Sequence, residues 1–359
     1  MSHSSNPTME AIVLHGISDL RHEQVPVPCV KPDTALVRIG YCGVCGSDIP
    51  RCFSKGTYSF PTICGHEFAG TIEAISAQDK RFSTGDRVTV FPLLWRDDHP
   101  ACEQGHYAQS DGYDYLGSRS DGGFATWVVA PIRNLIRIPD NVPLEIAAMT
   151  EPAAVALHAA RRARVRLGDS VAIFGLGPIG LMLAQWLRAM GANPIFLFDV
   201  NPGKLELARR LGFQQVHDSR TDKAASVIEK QTGGRGAHVT FEAAGVPVTM
   251  LAALACVRRA GRVVMLGNPS GEVALSATLI SQLMRREVEI LGTWNSSYSV
   301  YGDDDDWRST LAAMSSGVLD LRPLITHRVP LSGGIKALEM MRDNSEFYTK
   351  VLLHPSDSK

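Results

Sequence analysis

The chain has 359 residues, of which 45% are hydrophobic and 20% charged, and its net charge at pH 7 is −1. That length exceeds one ordinary compact core, so two domains are expected. The near-neutral balance speaks against nucleic acid or an anionic membrane as partner, and apolar runs broken by Gly, Arg or Asp exclude a membrane-spanning helix.

Residues 1–8 are polar, lack the apolar stretch of a signal peptide, and are expected to form a disordered leader. Seven cysteines, an odd number without a secretion signal, argue against a disulfide framework and for a cytoplasmic protein. Over 9–152 the pattern is short runs rich in Val, Ile and Thr, punctuated by Gly, Pro and Asp. Glu10–His15, Thr34–Tyr41, Phe68–Ile75, Arg87–Phe91 and Phe124–Val129 read as strands of a mainly-β domain.

The pattern changes at Thr150, which reads as the N-cap of an alanine-rich helix with Pro152 in its first turn. Over 153–297, strands at Ser170–Phe174, Pro194–Asp199, Gln214–His217, His238–Phe241, Arg262–Leu266 and Val288–Leu291 alternate with helix-length amphipathic segments. Such alternation predicts a doubly wound parallel sheet of six strands, the Rossmann arrangement, and an α/β fold class. Residues 298–359 are too few for a third domain. The acidic run Asp303–Asp306 reads as a solvated loop or the first turn of helix Trp307–Ser315; a helix at Ile335–Arg342 and a strand at Lys350–His354 follow. These pieces are expected to return to the first domain and make it discontinuous.

Gly175-Leu176-Gly177-Pro178-Ile179-Gly180 follows an apolar strand, opens a helix, and is trailed about 20 positions later by the acidic Asp199. In that context it is a dinucleotide loop rather than an ordinary turn. Gly175 permits the tight turn and Gly177 the approach of a pyrophosphate; Gly180 permits close packing, and the helix opened by Pro178 and Ile179 attracts phosphate. Asp199 is placed to accept from the adenosine ribose hydroxyls and to repel a 2′-phosphate, which favours NAD over NADP. Lys204 is a further candidate contact, although no Arg immediately follows Asp199.

Three candidate metal ligands lie in separate motifs: Cys45 in Gly43-Val44-Cys45-Gly46-Ser47-Asp48, His66 in Gly65-His66-Glu67, and Glu151 before Pro152. Taken singly, Cys45 reads equally as a buried thiol, His66 as a turn histidine and Glu151 as a carboxylate at a helix start. Together a Cys/His/Glu set gives zinc three protein ligands and an open fourth position, as catalytic sites do.

With Gly85-Asp86-Arg87-Val88 and Gly122-Gly123-Phe124-Ala125 between them, these motifs resemble the zinc-dependent medium-chain dehydrogenases over essentially the whole chain after the leader. The strings Cys45-Gly46-Ser47-Asp48-Ile49-Pro50-Arg51, Pro92-Leu93-Leu94, Leu116-Gly117-Ser118-Arg119-Ser120-Asp121-Gly122-Gly123-Phe124 and Gly292-Thr293-Trp294-Asn295 resemble the polyol dehydrogenase branch.

The resemblance implies a GroES-like first domain and zinc on Cys45, His66 and Glu151, with Glu67 binding directly or through water. Asp48 would orient the His66 ring, and Ser47 would take the substrate proton. Many relatives carry a His at the position of Pro50, so an outer relay would run through water or the cofactor ribose. Implied with these are hydride transfer between NAD and a secondary alcohol of a polyol, sugar alcohol or polyol phosphate, and a homodimer or homotetramer. A cyclitol, aminocyclitol or threonine-type hydroxyl is the alternative substrate. A zinc-free quinone-reductase-like or non-catalytic protein is the alternative class, against which the joint ligands weigh.

Most zinc members bind a second, structural zinc on four cysteines. The positions aligned with those cysteines here are Arg96, His99, Cys102 and Ser110, two of which cannot replace thiolates, so one catalytic zinc per chain is expected. A rebuilt site on His99, Cys102 and His106 with Asp97 or Asp111 is the competing account. Arg51, Arg119, His327 and Arg328 are candidates for phosphate recognition, and Trp294 and Asn295 for a pocket wall.

Overall fold

The computed structural model of the protein describes residues 7–76 and 81–356. The expected leader falls largely outside them, but Pro7 accepts from the Val27 amide and Thr8 already opens a strand. The chain divides into two compact units, Met1–Glu151 with Ser297–Lys359, and Pro152–Ser296.

The first unit is mainly β. Strand Thr34–Gly43 is its organising element, pairing antiparallel with Glu67–Ile75, with Trp127–Pro131 and with the C-terminal strand Lys350–His354. Two bulges in the pairing with Glu67–Ile75 re-aim its end, where Gly43 faces Glu67. The core packs Ile12, Leu14, Val37, Phe68, Ile72, Phe124 and Leu353, all at most 3% exposed. Strand Trp127–Pro131 starts three residues later than the run Phe124–Val129 suggests, because the Phe124 amide and carbonyl bond to Cys64 and Ile12 outside that ladder. A polar strand, Asp19–Pro26, was hidden from pattern reading: it has only Leu20 and Val25 against the core and otherwise faces solvent.

In the second unit, parallel strands β1 (Val171–Phe174), β2 (Ile195–Asp199), β3 (Gln215–Asp218), β4 (Ala237–Glu242), β5 (Val257–Met265) and β6 (Glu289–Gly292) form one sheet. Their order is 3-2-1-4-5-6, the doubly wound Rossmann arrangement. The near-continuous apolar strands β1 and β2 are buried on both faces, as a sheet covered by helices requires. β5 begins five residues before Arg262; the register slips between Ala237 and Val239, and Ala260 takes a left-handed conformation there.

One local expectation needs correction, and another is decided between its two alternatives in favour of a helix start. Thr150 does not cap its helix: a short turn at Leu144–Ala147 precedes it, and its hydroxyl donates to the Ala147 carbonyl at 2.7 Å. The acidic run is not wholly solvated. Asp305 and Asp306 are buried; Asp305 caps helix Asp306–Ser316 by accepting from the Arg308 amide, and Asp306 accepts from the Ser297 amide.

Candidate metal centre and dinucleotide loop

Among the described residues, one group of His, Cys, Asp or Glu donors converges: atoms of Cys45, His66 and Glu67 lie within 4.8 Å of one another. The topology explains the meeting. Cys45 follows the end of strand Thr34–Gly43, and Glu67 opens the strand paired with it, opposite Gly43 itself.

Asp48 stands behind this group, fully buried. Its Oδ2 accepts from the Cys45 amide at 2.9 Å, and Oδ1 carries the Arg51 guanidinium and lies 3.7 Å from His66 Nδ1. That last contact is an ion-pair distance rather than a hydrogen bond, and Nδ1 is buried without a partner. Burial works against charge on His66, yet Asp48, then Cys45 and Glu151, push its pKa up to about 10. The metal-free site therefore holds a proton on the imidazole because negative groups surround it.

Glu151, also buried, lies outside the converging triple. Burial raises its carboxyl above the usual carboxylate range, with His66 opposing and Glu67 adding to the rise. Tyr115 donates to Glu151 Oε1 at 3.1 Å and sets its ring edgewise to His66, 5.7 Å between centroids. Ser47 is exposed, and its hydroxyl lies 3.3 Å from the Cys45 sulfur. N, S and O donors that converge in a largely buried place, with a proton on the imidazole that a divalent cation would displace, fit zinc.

Two functional residues escaped sequence reading. Lys350, fully buried, donates to Glu67 Oε2 at 2.6 Å and reaches the Val44 carbonyl at 3.4 Å. Burial lowers its pKa, but Glu67 and Cys45 more than offset this and hold it above the ordinary lysine range. Its one sequence signal is a lysine opening an apolar strand. Glu242, at the end of β4, is fully buried; Oε1 accepts from the Ala244 and Gly245 amides and the Thr249 hydroxyl, shaping the turn beside Gly175.

In the second unit, Gly175 has φ +103°, and a Cβ there would lie 2.7 Å from the Ala244 nitrogen; one on Gly180 would lie 2.0 Å from the Gly175 carbonyl oxygen. Gly177 caps helix Pro178–Ala189, with Pro178 and Ile179 opening it. Asp199 is tied at both oxygens, Oδ2 to the Leu176 amide and Oδ1 to the Val200 and Asn201 amides. Lys204 lies in the first turn of helix Pro202–Arg210, its amide capped by Asn201.

The region around Arg96, His99, Cys102 and Ser110 is organised differently. His99, Cys102, His106, Asp97 and Asp111 are not brought together. His99 Nδ1 caps the short helix Pro100–Glu103 from the Ala101 amide at 3.2 Å, and Nε2 lies 3.4 Å from the Asp111 amide. A neutral ring accepts at one nitrogen only, and the shorter, capping contact is the better acceptor geometry. Trp95 stacks on Tyr107 at 4.1 Å, Arg133 lies over the Trp95 ring at 4.2 Å, and Asp97 holds Arg133 at 2.7 Å.

Of the four phosphate candidates, Arg51 is bound to Asp48, Arg328 to Glu145, and His327 lies 3.5 Å from Glu346. Arg119 has no such partner. Trp294 is 58% exposed after the last sheet strand, and Asn295 is left-handed, so neither is fixed in a wall by its own unit.

Residues 31–140 match the alcohol dehydrogenase GroES-like domain, and residues 178–316 match the zinc-binding dehydrogenase family. The chain is 31% identical to sorbitol dehydrogenase of Bacillus subtilis, covering 99% of this chain and all of that one. It is similar to the crystal structure of galactitol-1-phosphate dehydrogenase from Escherichia coli, with TM-score 0.90 and 32% identity over 97% of this chain and 100% of the other. A putative zinc-binding dehydrogenase from Sinorhizobium meliloti, bound to NADP, matches with TM-score 0.89 and 26% identity, covering 97% and 100% of the two chains. Zinc and a nicotinamide cofactor are the equipment of such enzymes. No helix among the described residues is long and apolar enough to cross a membrane. Matched along its length in both sequence and structure, the chain belongs to the zinc-dependent medium-chain dehydrogenases, in their polyol dehydrogenase branch, and is an oxidoreductase of alcohols.

Proposed function

We propose that the protein oxidises a secondary alcohol of a polyol, sugar alcohol or polyol phosphate with NAD, using one zinc held by Cys45, His66 and Glu151 with Glu67 beside it. The convergence of the half-buried Cys45 with the buried His66 and Glu67 supports this reading most. Bound there, zinc supplies Lewis acidity that lowers the pKa of an alcohol. Asp48 orients the imidazole and the Cys45 loop together, because one carboxylate serves both. Ser47 accepts the substrate hydroxyl proton; its exposed hydroxyl can release it to water, as Pro50 offers no further relay group. Lys350 donates to the buried Glu67 carboxylate and so supplies it with a cationic partner.

Asp199 supports NAD rather than NADP. Its oxygens are fixed by three backbone amides at the end of β2, and a 2′-phosphate beside that fixed negative charge would be repelled. A homodimer or homotetramer in the cytoplasm is part of this reading.

The test is a cofactor-reduction screen over polyols, polyol phosphates, cyclitols and threonine, with NAD and NADP in parallel and zinc measured on the same sample. Turnover of a polyol-type substrate with NAD, about one zinc per chain, and loss of both zinc and turnover in Cys45→Ala are expected. Turnover retained by zinc-free Cys45→Ala would sink the metal assignment, and two zinc ions per chain would sink the single site.

A further inference from the structure

The metal centre explains where a carbinol would react but says nothing of what the rest of the substrate carries. Arg119 supplies that information. Its guanidinium carbon lies 4.3 Å from the Tyr58 ring centroid and 4.5 Å from that of Tyr113, so the cation rests against two aromatic rings. Nη1 donates to the Tyr113 carbonyl at 2.6 Å, and Nη2 lies 3.4 Å from the Tyr58 hydroxyl. The remaining N–H groups have no partner, and the charge meets no carboxylate, among the described residues. A half-buried guanidinium held against two aromatic rings and one carbonyl is fixed in place with N–H groups to spare, which is what an oxyanion needs.

The clamp hangs from the loop that touches the metal centre. Gly117, two residues before Arg119, packs so closely on the Gly65–His66 peptide that a Cβ there would lie 2.1 Å from the Gly65 oxygen and 2.8 Å from the His66 nitrogen. The Arg119 amide donates to the carbonyl of Tyr115, the residue that contacts both His66 and Glu151. Tyr113, one wall of the clamp, meets Tyr115 edgewise at 6.4 Å. Three ring contacts therefore lead from His66 to the open edge of Arg119, all within one unit. Tyr58, the other wall, is 74% exposed, which puts the clamp at the solvent-facing end of that series.

We propose that Arg119 determines substrate specificity by binding an oxyanion terminus, phosphate or carboxylate, of a polyol whose carbinol reacts at the Cys45–His66–Glu67 centre. This rests on the dehydrogenase reading above. A neutral polyol would gain little from the guanidinium edge, whereas an anionic terminus gains charge-assisted hydrogen bonds there.

The experiment measures NAD reduction by the zinc-loaded enzyme with galactitol, galactitol 1-phosphate and gluconate, for the wild type, Arg119→Met and Tyr58→Leu. For one anionic substrate, kcat/KM is expected to exceed that for galactitol at least about tenfold, and which of the two responds distinguishes phosphate from carboxylate. Arg119→Met should raise KM for that substrate about 10- to 100-fold, the range of charge-assisted bonds, with kcat and the galactitol rate nearly unchanged. Tyr58→Leu, at an exposed position that leaves the fold intact, should produce a smaller loss of the same selectivity.

A wild-type preference for galactitol, or equal losses on neutral and anionic substrates, overturns the proposal. Absence of turnover on every substrate would strike the dehydrogenase reading instead. Calorimetric titration of galactitol 1-phosphate and gluconate into the zinc-loaded protein then decides the clamp: at least tenfold weaker binding in Arg119→Met supports it, and equal or absent binding overturns it.

Discussion

Two regions of the first unit gather polar and ionisable side chains, one largely buried and one partly exposed, and they satisfy them in opposite ways. Around Cys45, His66 and Glu67 one group is left unsatisfied: the imidazole holds a proton among negative neighbours, and among the described residues Nδ1 finds no hydrogen bond. Between Trp95 and Arg133 the side chains complete one another. Asp97 and the Trp95 carbonyl receive the Arg133 guanidinium, its face rests on the indole, and His99 caps a helix. The first arrangement is stable only with a cation or trapped protons, whereas the second is closed without one. Potential ligands alone do not distinguish the two; their hydrogen-bond partners do.

The comparison breaks most severely at Lys350. Replacing it with Met removes one partner of a buried, hydrogen-bonded pair, which costs about 3–5 kcal/mol. Urea unfolding of the metal-free protein should register that loss. Added zinc should restore more stability to Lys350→Met than it gives the wild type, because the freed carboxylate becomes a stronger ligand. Equal gains from zinc in the two proteins would mean that Lys350 and the metal do not share Glu67.

At the other region the expected break is purely one of packing. Trp95 is 6% exposed and carries both the Tyr107 stack and the Arg133 contact. Trp95→Ala should destabilise the protein by about 3 kcal/mol through cavity formation, with zinc content unchanged. A fall in zinc per chain would show that this region and the metal centre are coupled.

Sequence reading reached these regions unequally. The six-stranded parallel sheet and the glycine turn that opens helix Pro178–Ala189 were legible because strand-helix alternation and a glycine spacing are local signals. Cys45, His66 and Glu67 were legible as motif members, and the pairing of Gly43 with Glu67 explains why motifs 20 residues apart converge. Lys350 was not, since it lies 283 positions from Glu67 and reads as the start of an ordinary strand. Thr150 was misread because its capping potential is local, whereas the turn at Leu144–Ala147 that captures its hydroxyl is set by packing. For Asp305 and Asp306 the reading as a helix start held and the solvated loop did not: charge suggests solvent, but the Arg308 and Ser297 backbone amides are partners of equal quality.

The finest distinction between the regions rests on His99. A histidine near a buried cysteine invites a metal reading, but its Nδ1 is occupied by the Ala101 amide, and no group of ligating side chains forms around it among the described residues. If capping is its role, His99→Ala should cost only about 1 kcal/mol, the usual loss for an N-cap, and leave zinc stoichiometry and turnover unchanged. His99→Asn, which retains a capping acceptor, should recover most of that stability, although asparagine is a poor substitute for a zinc-binding imidazole. A metal site would give the reverse pattern: zinc lost in both variants and stability recovered in neither. Thermal unfolding paired with elemental analysis on the two variants therefore separates a capping imidazole from a ligand, even though the expected stability change is the smallest of the three.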